Sequence, residues 1–279
     1  MKITSYPAHT STTLAAADVF LTDGVKGTKK IMKSDLTFAL FEDIPEMHKC
    51  IYRGKKIGTT LSAAQASEIA AGTYHDIWIG DYWLFSGIKW TVIDFDYYNA
   101  LGVSQPHIIV MPMSQIGTEA IDSSKSGTIE GFADCSLLGK LGTSYKNAFA
   151  SVFGSAHLID HVEVICSGWW QGTPTNGKPI GYSTNSTTVN ESVMIPSEIQ
   201  FFGTKINSTI YPGGSGNYTG GYRQFKMFNM GIYPPRDTGM WFRDQTWARS
   251  FASYIPTHNR IDDRDVSQAT GIMPYATVG

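Results

Sequence analysis

The last forty residues of the chain constrain its fold more tightly than any other stretch. They open with the run Met240-Trp-Phe-Arg-Asp244 and close with the apolar run Gly271-Ile-Met-Pro-Tyr-Ala-Thr-Val278. Side chains along the closing run alternate in a way that gives a strand two faces, both of which can be covered. We therefore expect residues 271–278 to form a strand that is integral to the fold.

The segment 245–268 between these runs is crowded with Trp, Tyr, Arg, Asn and Asp. Its second half has neither helical nor strand periodicity, which predicts irregular structure, whereas Phe251-Ala-Ser-Tyr-Ile255 is alternatively a strand. Aromatic and Arg side chains supply large contact area at low entropic cost, and short polar ones adapt. The alternative is an ordinary surface loop, but solvated aromatics favour a partner. The candidate ligand-binding residues are Gln245, Trp247, Arg249, Phe251, Ser253, Tyr254, His258, Arg260, Asp262 and Arg264.

The motifs Trp241-Phe-Arg-Asp244 and Gly271-Ile-Met-Pro274 resemble the ends of C-type-lectin-fold proteins of bacterial viruses, among them the variable proteins of diversity-generating retroelements. Met273 stands where that family usually has Arg. Upstream motifs in the matching order are Ile51-Tyr-Arg-Gly54, Gly80-Asp-Tyr-Trp-Leu-Phe-Ser-Gly87, Ile93-Asp-Phe-Asp-Tyr97 and His107-Ile-Ile-Val-Met-Pro112. The resemblance implies a C-type-lectin-like α+β domain over residues 46–279, with antiparallel sheets, two or three helices and long ordered loops.

Residues 1–45 differ in pattern from the rest and are expected to form a small N-terminal module. Asp18-Val-Phe-Leu-Thr-Asp-Gly24 and Gly27-Thr-Lys-Lys-Ile31 predict a hairpin, and Ser34 caps a predicted helix that ends at Phe41. Such a small unit cannot bury its own apolar face, so it should pack on the next domain or on copies of itself. Similar openings occur in viral tail-fibre and adhesin proteins, which implies attachment to other virion proteins or a homo-oligomer, most simply a homotrimer.

Elsewhere the pattern is also α+β. The helix Ala63–Ala71 should begin after Ser62 and end at Gly72, and Ser86-Gly87 should close a two-residue hairpin. The other predicted strands are 77–79, 107–111 and 161–165, a further helix is predicted at 145–153, and polar loops are predicted at 168–192 and 203–222.

Composition narrows the class of protein. The 279 residues carry a net charge of −2 and only 16% charged residues, so there is no electrostatic footprint for nucleic acid. We expect no signal peptide and no membrane insertion, because no basic start leads into an apolar run and no stretch approaches ~20 apolar residues. Cys50, Cys135 and Cys166 allow one disulfide, but three buried thiols are expected. This profile favours a virion component.

Two short motifs invite catalytic or metal-binding interpretations. His157 and His161 have the spacing of a helical zinc site but lack the accompanying Glu, and Asp94 and Asp96 resemble a chelating pair. Structural roles are expected for both: surface or core histidines, and carboxylates that cap backbone N–H groups. Formylglycine-generating enzymes resemble this fold, but their reactive cysteine pair is missing here. The calcium ligands of sugar-binding lectins are missing too. We therefore expect no cofactor, no metal and no enzyme activity.

The expected function is therefore receptor binding at a phage tail fibre, adhesin tip or virion surface, through a host-cell-surface protein or glycan. The first alternative is a structural protein of the tail or capsid decoration, with the same surface making subunit contacts. The second is a glycan-acting hydrolase that uses Asp94, Asp96 and Asp134.

Overall fold

The computed structural model describes residues 19–23, 27–31, 38, 41–122, 132–166, 170–171, 181–182, 186–204, 222–235, 239–247, 250–255, 260–265 and 269–279. For residues 19–31 and 245–265, only the backbone pairing of the strands is described. The described residues form a mixed α+β fold with mostly antiparallel sheets and short helices, so the predicted fold class is confirmed at that level.

Seventeen strands are present among these residues. They are β1 Val19–Asp23, β2 Gly27–Ile31, β3 Lys56–Gly58, β4 Tyr82–Phe85, β5 Ile88–Phe95, β6 Ile108–Pro112, β7 Gly117–Glu119, β8 His161–Cys166, β9 Trp170–Gln171, β10 Gly181–Tyr182, β11 Ser186–Glu191, β12 Val193–Met194, β13 Met240–Trp247, β14 Ser250–Ile255, β15 Arg260–Asp265, β16 Thr270–Ile272 and β17 Tyr275–Val278.

The helices are short. They are α1 Pro45–His48, α2 Ala63–Ala71, α3 Ser136–Lys140, α4 Lys146–Phe153, α5 Glu198–Phe202 and α6 Lys226–Asn229, with a π-helical turn Leu141–Tyr145 that joins α3 to α4. The helix predicted at 145–153 therefore begins earlier, at Ser136. Gly139 and Gly142 lower its local propensity, and burial of Leu137 and Leu141 compensates. None of the helices in the described ranges is long and apolar enough to cross a membrane.

A six-stranded sheet forms the centre, in the order β12-β17-β6-β5-β4-β3. Strand β17 lies between β12 and β6, and all four of its residues are buried. The prediction that the last strand is integral is therefore confirmed. However, residues 271–278 form two strands in different sheets, because β16 pairs with β7 and the chain breaks at Met273-Pro274. Pro274 lacks the N–H that a continuous ladder would use.

The elements that were predicted from residues close together in the sequence are confirmed. Helix α2 begins after Ser62, whose side chain accepts from Gln65 N in a capping box, and ends at a left-handed Gly72. The β4–β5 hairpin turns at Ser86 and Gly87, both at positive φ, as a two-residue primed turn requires. By contrast, 77–79 contributes only a bridge from Ile79 to Tyr52.

Helix α4 covers one face of the central sheet. Trp83 and Trp90 lie opposite each other on β4 and β5, and both are buried. Their rings make edge contacts with Phe153 at 5.2 Å and with Phe149 at 4.8 Å, respectively. Burying aromatic side chains of this size contributes much of the stabilisation of a core. Helix α6 also packs near β5.

The predicted N-terminal hairpin is confirmed as β1 paired with β2. Most of the predicted helix 34–41 lies outside the described residues, but Phe38 and Phe41 are described. The ring of Phe38 contacts Trp78 edge-on at 5.0 Å, so this part of the predicted helix packs on residues that follow it in the chain.

The prediction of a polar loop over 168–192 is partly wrong. Strand β11 occupies its end and pairs along its whole length with β8, from Ser186–Cys166 to Glu191–His161. The Thr and Val residues of β11 fit a pleated surface once β8 provides the ladder, although their polarity suggests a loop. Of the predicted loop 203–222, residues 205–221 lie outside the described residues.

Candidate functional site

The segment Trp241-Phe242-Arg243-Asp244, here called the anchor segment, is buried as a unit. All four residues are at most 3% exposed. The indole Nε1 of Trp241 donates to the carbonyl of Glu119 at 2.9 Å, which ties β13 to β7. Because no member of the anchor segment faces solvent, it cannot itself contact a partner.

The end of the anchor segment is fixed to the start of α5. Asp244 Oδ2 accepts a hydrogen bond from the backbone N–H of Glu198 at 2.5 Å, where the positive end of the helix favours a carboxylate. The backbone N–H of Arg243 donates to the carbonyl of Pro196 at 3.1 Å. Two consecutive residues of β13 therefore hold the same short segment.

Arg243 forms a buried ion pair with Glu163 of β8. Its Nη2 lies 2.8 Å from Glu163 Oε2, and both side chains are at most 1% exposed. Its Nη1 donates to the carbonyl of Ile195 at 3.0 Å, to Gln200 Oε1 at 2.7 Å and to the Tyr275 hydroxyl at 3.2 Å. A buried charge is tolerated only when it is paired and hydrogen-bonded in this way.

Three tyrosines complete the environment of the Glu163 carboxylate. Tyr98 and Tyr275 donate to Oε1, the latter at 2.5 Å, and Tyr222 donates to Oε2 at 2.5 Å. His161 lies on the same strand, with Nε2 3.6 Å from Oε1, and stacks on the ring of Tyr98. The carboxylate is thus surrounded by donors.

The electrostatics of this cluster favour one protonation state. Burial alone would raise the pKa of Glu163, but the charge of Arg243, the proximity of His161 and the hydrogen bond of Tyr222 outweigh it, so its pKa lies below the ordinary value. Burial, and then the charge of Glu163, raise the pKa of Tyr98 and of Tyr275 well above the usual range. Glu163 therefore stays ionised while the tyrosines stay protonated and donate.

This cluster is structural in its chemistry. Both carboxylate oxygens of Glu163 accept hydrogen bonds from protein donors. The side chains of the cluster lie at the junction of β8, β13, β17 and α5. Arg243 belongs to the motif Trp241-Phe-Arg-Asp244, and Tyr275 belongs to the predicted last strand, but no sequence signal singles out Glu163 or Gln200. The alternation of β17 was a signal for the burial of Tyr275, whereas nothing local distinguishes Glu163.

Beyond the anchor segment, β13 continues into a three-stranded antiparallel sheet, β13-β14-β15, here called the C-terminal sheet. The prediction of irregular structure in the second half of 245–268 is wrong, because Arg260–Asp265 is a strand that pairs with Ser250–Ile255 along its length. The alternative of a strand at 251–255 is confirmed. Both faces of β15 carry charged residues, so its sequence does not alternate between apolar and polar side chains and hydrophobicity does not predict a strand there.

The candidate ligand-binding residues are distributed over all three strands. Gln245 and Trp247 lie on β13, and Phe251, Ser253 and Tyr254 lie on β14. Arg260, Asp262 and Arg264 lie on β15. Arg249 and His258 lie outside the described residues.

The register of the ladder sorts these positions by face. Partners directly opposite in an antiparallel ladder share a face, and neighbours along a strand lie on opposite faces. Phe251 is opposite both Gln245 and Arg264, Ser253 is opposite Asp262, and Ile255 is opposite Arg260. The candidate positions that share one face are therefore Gln245, Phe251, Ser253, Arg260, Asp262 and Arg264, whereas Trp247 and Tyr254 belong to the other face.

The register also changes along β13. Shifts occur between Trp241 and Gln245 and again between Gln245 and Trp247. Such irregularities bend a strand and increase its twist. Among the described strands β15 pairs only with β14, so it forms an edge whose Arg and Asp residues discourage pairing with other chains.

Asp94 has the structural role that the sequence favoured. Its carboxylate accepts from the backbone N–H of Phe95 at 2.7 Å and of Lys226 at 2.9 Å. It also forms a bidentate pair with Arg223, at 2.5 and 2.8 Å. Asp94 therefore joins β5 to the start of α6.

Asp96 is held by different partners. Lys49 Nζ lies 2.7 Å from its carboxylate, the hydroxyl of Tyr74 donates at 2.9 Å, and the backbone N–H of His107 donates at 3.1 Å. The pKa of Asp96 is lowered because these donors outweigh the effect of burial. Each of the two carboxylates thus has its own cation. The side chain of Asp134, the third residue of the hydrolase alternative, lies outside the described residues.

The two histidines also have separate environments. His157 Nδ1 lies 3.0 Å from the carbonyl of Gly279, and His161 Nδ1 lies 3.1 Å from the Thr277 hydroxyl. Within the described residues, no group of three or more His, Cys, Asp or Glu side chains is arranged to hold a metal ion.

The prediction of three buried thiols is wrong for Cys50, which is exposed, and confirmed for Cys135. Both are free thiols. Burial raises the pKa of Cys135 to about 12, so its thiol stays protonated at neutral pH. Cys50 lies just after the four-residue helix α1, whose buried residue is His48. The side chain of Cys166 lies outside the described residues.

Comparison with known proteins gives no match to a protein family, to a curated protein or to a solved structure. The functional assignment therefore depends on the chain itself.

Proposed function

We propose that the chain is a receptor-binding protein of a bacteriophage virion, in which a C-type-lectin-like domain presents the C-terminal sheet to a host-cell-surface protein or glycan. The fold supports this in its coarse form: an α+β core, antiparallel sheets and a last strand inserted between two earlier ones. The order of the sequence motifs supplies the finer assignment to the C-type-lectin-like class.

One observation carries the proposal. A fully buried anchor segment continues directly into a sheet on which six of the candidate contact positions share one face. Display of this kind requires that the surface be held before the ligand arrives, because ordering a flexible loop on binding costs free energy. The hydrogen bonds of Arg243 and Asp244 supply that fixation at the base of the sheet.

The composition of that face suits recognition. Phe251 offers apolar area, Arg260 and Arg264 offer planar cations, and Asp262, Ser253 and Gln245 offer short polar groups. Interfaces gain most of their affinity from a few aromatic and Arg residues, and polar neighbours discriminate between partners. In this proposal the N-terminal module, residues 1–45, attaches the protein to other virion proteins and forms a homotrimer.

The test is binding of the purified, fluorescently labelled protein to intact host cells. The structure offers a matched pair of variants, Asp262→Ala and Asp263→Ala, because adjacent residues of β15 lie on opposite faces of the sheet. We expect Asp262→Ala to weaken cell binding, and its combination with Arg260→Ala and Arg264→Ala to reduce it at least tenfold, about 1.4 kcal/mol. Asp263→Ala should bind as the wild type does.

The alternatives give different outcomes. A structural virion protein would not label cells, and its face variants would impair particle assembly instead. A hydrolase would release soluble sugars from host envelopes. Either outcome, in place of face-specific loss of cell binding, contradicts the proposal.

A further inference from the structure

A cleft of about 460 Å³ lies on the central sheet, on the face opposite to the one that packs on α4. Strands β4 and β5 form its floor through Tyr82, Lys89 and Thr91, and the segment after α6 forms one wall through Ile232 and Tyr233. Small-molecule sites are typically concave, with volumes of about 300–1,000 Å³. The cleft is therefore large enough for a small ligand, and none of its described lining residues belongs to the C-terminal sheet.

Tyr52 is built into the rim of this cleft by two glycines. Gly54 and Gly80 both have positive φ, at 71° and 85°. A Cβ atom on Gly80 would lie 2.1 Å from the ring of Tyr52, and one on Gly54 would lie 2.8 Å from its hydroxyl. The ring thus rests against glycine backbone, yet 44% of the residue stays exposed. A rigidly held, exposed aromatic ring is a suitable platform for stacking.

Tyr233 provides a second exposed ring, of which 41% is accessible. It stacks on Phe228 with an interplanar angle of 8°, and its hydroxyl accepts from Gln224 Nε2 at 3.1 Å. Like Tyr52, it is fixed in position while much of its surface remains open. Two restrained aromatic residues therefore border the same cleft.

The polar side chains of the cleft are available for a ligand. Within the described part of the chain, the side chains of Thr91, Ser114 and Lys89 make no hydrogen bond or ion pair, although Thr91 is only 4% exposed. Lys89 Nζ lies 4.8 Å from the centroid of the Tyr82 ring, which fixes its charge at the cleft floor. Of the described lining residues, Lys89 alone carries a charge.

We propose that this cleft binds an acidic saccharide, namely a sugar ring that carries a carboxylate. The C–H groups on one face of a pyranose fit the negative face of a tyrosine ring, which accounts for Tyr52 and Tyr233. The sugar hydroxyls pair with the hydroxyls of Thr91 and Ser114, and the carboxylate pairs with Lys89. This inference does not depend on the role proposed for the C-terminal sheet.

Other ligand classes fit the cleft less well. An organic cation would meet the charge of Lys89, which already occupies the ring of Tyr82. A nucleotide phosphate is usually held by the N-terminus of a long helix or by a planar Arg fork, whereas the described lining has no Arg and its helical residue, Met227, belongs to the four-residue helix α6. An acidic sugar uses both the rings and the single ammonium group.

The test is ligand-observed NMR on the full chain with two acidic probes, trigalacturonic acid and sialyllactose, and with the neutral trisaccharide maltotriose and ADP as comparisons. We expect saturable binding of at least one acidic probe, with the strongest saturation transfer to sugar ring C–H protons. Lys89→Met should weaken that binding at least tenfold. Lys146→Met, which removes the same charge from α4 on the other side of the sheet, should change it less than twofold.

Tyr52→Phe should retain binding and Tyr52→Ala should abolish it, with thermal melting recorded for each variant to verify folding. The proposal is overturned if neither acidic probe saturates the wild type, if maltotriose or ADP binds as tightly, or if Lys89→Met binds like the wild type. Cell binding by the Asp262 set is measured separately, so failure here leaves the proposed display role unaffected.

Discussion

Arg243 Nη2 donates to Glu163 Oε2 at 2.8 Å, and this bond joins two residues that are eighty positions apart in the sequence. It connects the base of the C-terminal sheet to β8, whose partner strand is β11. The same guanidinium reaches the Tyr275 hydroxyl on β17. One side chain therefore couples the anchor segment to the central sheet, so the stability of both should depend on it.

Glu163→Gln should destabilise the protein strongly. The change leaves the buried guanidinium of Arg243 without its counter-charge, and breaking a buried pair costs about 3–5 kcal/mol. Urea unfolding followed by fluorescence measures the free energy of unfolding. The matched control is Lys146→Met, which breaks the more exposed pair with Asp160 and should cost at most about 1 kcal/mol. Similar losses in both variants would contradict a special role for the Glu163 pair.

Glu163 should also make the stability dependent on acid. Its pKa is lower in the folded protein than the ordinary 4.5. A carboxyl group of this kind stabilises the fold at pH above its ordinary pKa, and this contribution is lost as the pH falls towards the folded value. Between neutral pH and about pH 3 the wild type should therefore lose more unfolding free energy than Glu163→Gln. Parallel curves for the two proteins would show that Glu163 does not titrate as expected.

Removal of residues 271–279 should give insoluble or molten protein. The deletion takes away β17 and all of β16 except Thr270, and with them the buried residues Ile272, Tyr275 and Val278. Burial of each large side chain contributes roughly 1.5–3 kcal/mol, and a typical domain has only about 5–15 kcal/mol in total. Near-ultraviolet circular dichroism and solubility provide the measurement. Removal of Gly279 alone is the control, and a soluble deletion variant that melts within a few degrees of the intact chain would disprove the assignment of the last strand.

Asp94→Asn should reduce the stability of the protein. Metal ions should not change the stability of the wild type. The substitution removes the charge that pairs with Arg223 and weakens the acceptors for Phe95 and Lys226, which should cost about 1–3 kcal/mol. Since Asp94 and Asp96 each have their own cation, calcium and EDTA should leave the melting temperature unchanged in the wild type. A calcium-dependent rise in melting temperature would instead indicate a bound ion.

The full chain should form a homo-oligomer, most simply a trimer. The expectation comes from the apolar face of residues 14–41, which a hairpin and a short helix are too small to bury. Multi-angle light scattering of the full chain, compared with a chain that begins near Pro45, measures the effect. A monomeric full chain contradicts the prediction. The contact of Phe38 with Trp78 means that part of this face is already covered within one chain.

The sequence by itself determined the elements whose signals lie within a few residues of one another. Helix α2 followed from Ser62 and Gly72, and the β4–β5 turn followed from Ser86-Gly87. In each case the backbone conformation depends on local hydrogen bonds and local sterics, which neighbouring residues specify. The burial of the last strand was also predictable, because its alternating pattern shows directly in the sequence.

Only the tertiary structure decided which distant groups meet. Strand β15 looks irregular as a sequence of charges, and it becomes a strand because β14 supplies the ladder. Asp94 and Arg223 are 129 residues apart, and Glu163 is paired with Arg243 inside a core that the sequence pattern does not outline. The Glu163–Arg243 pair lies in the low dielectric of the interior, and that environment exists only after the whole chain has folded around it.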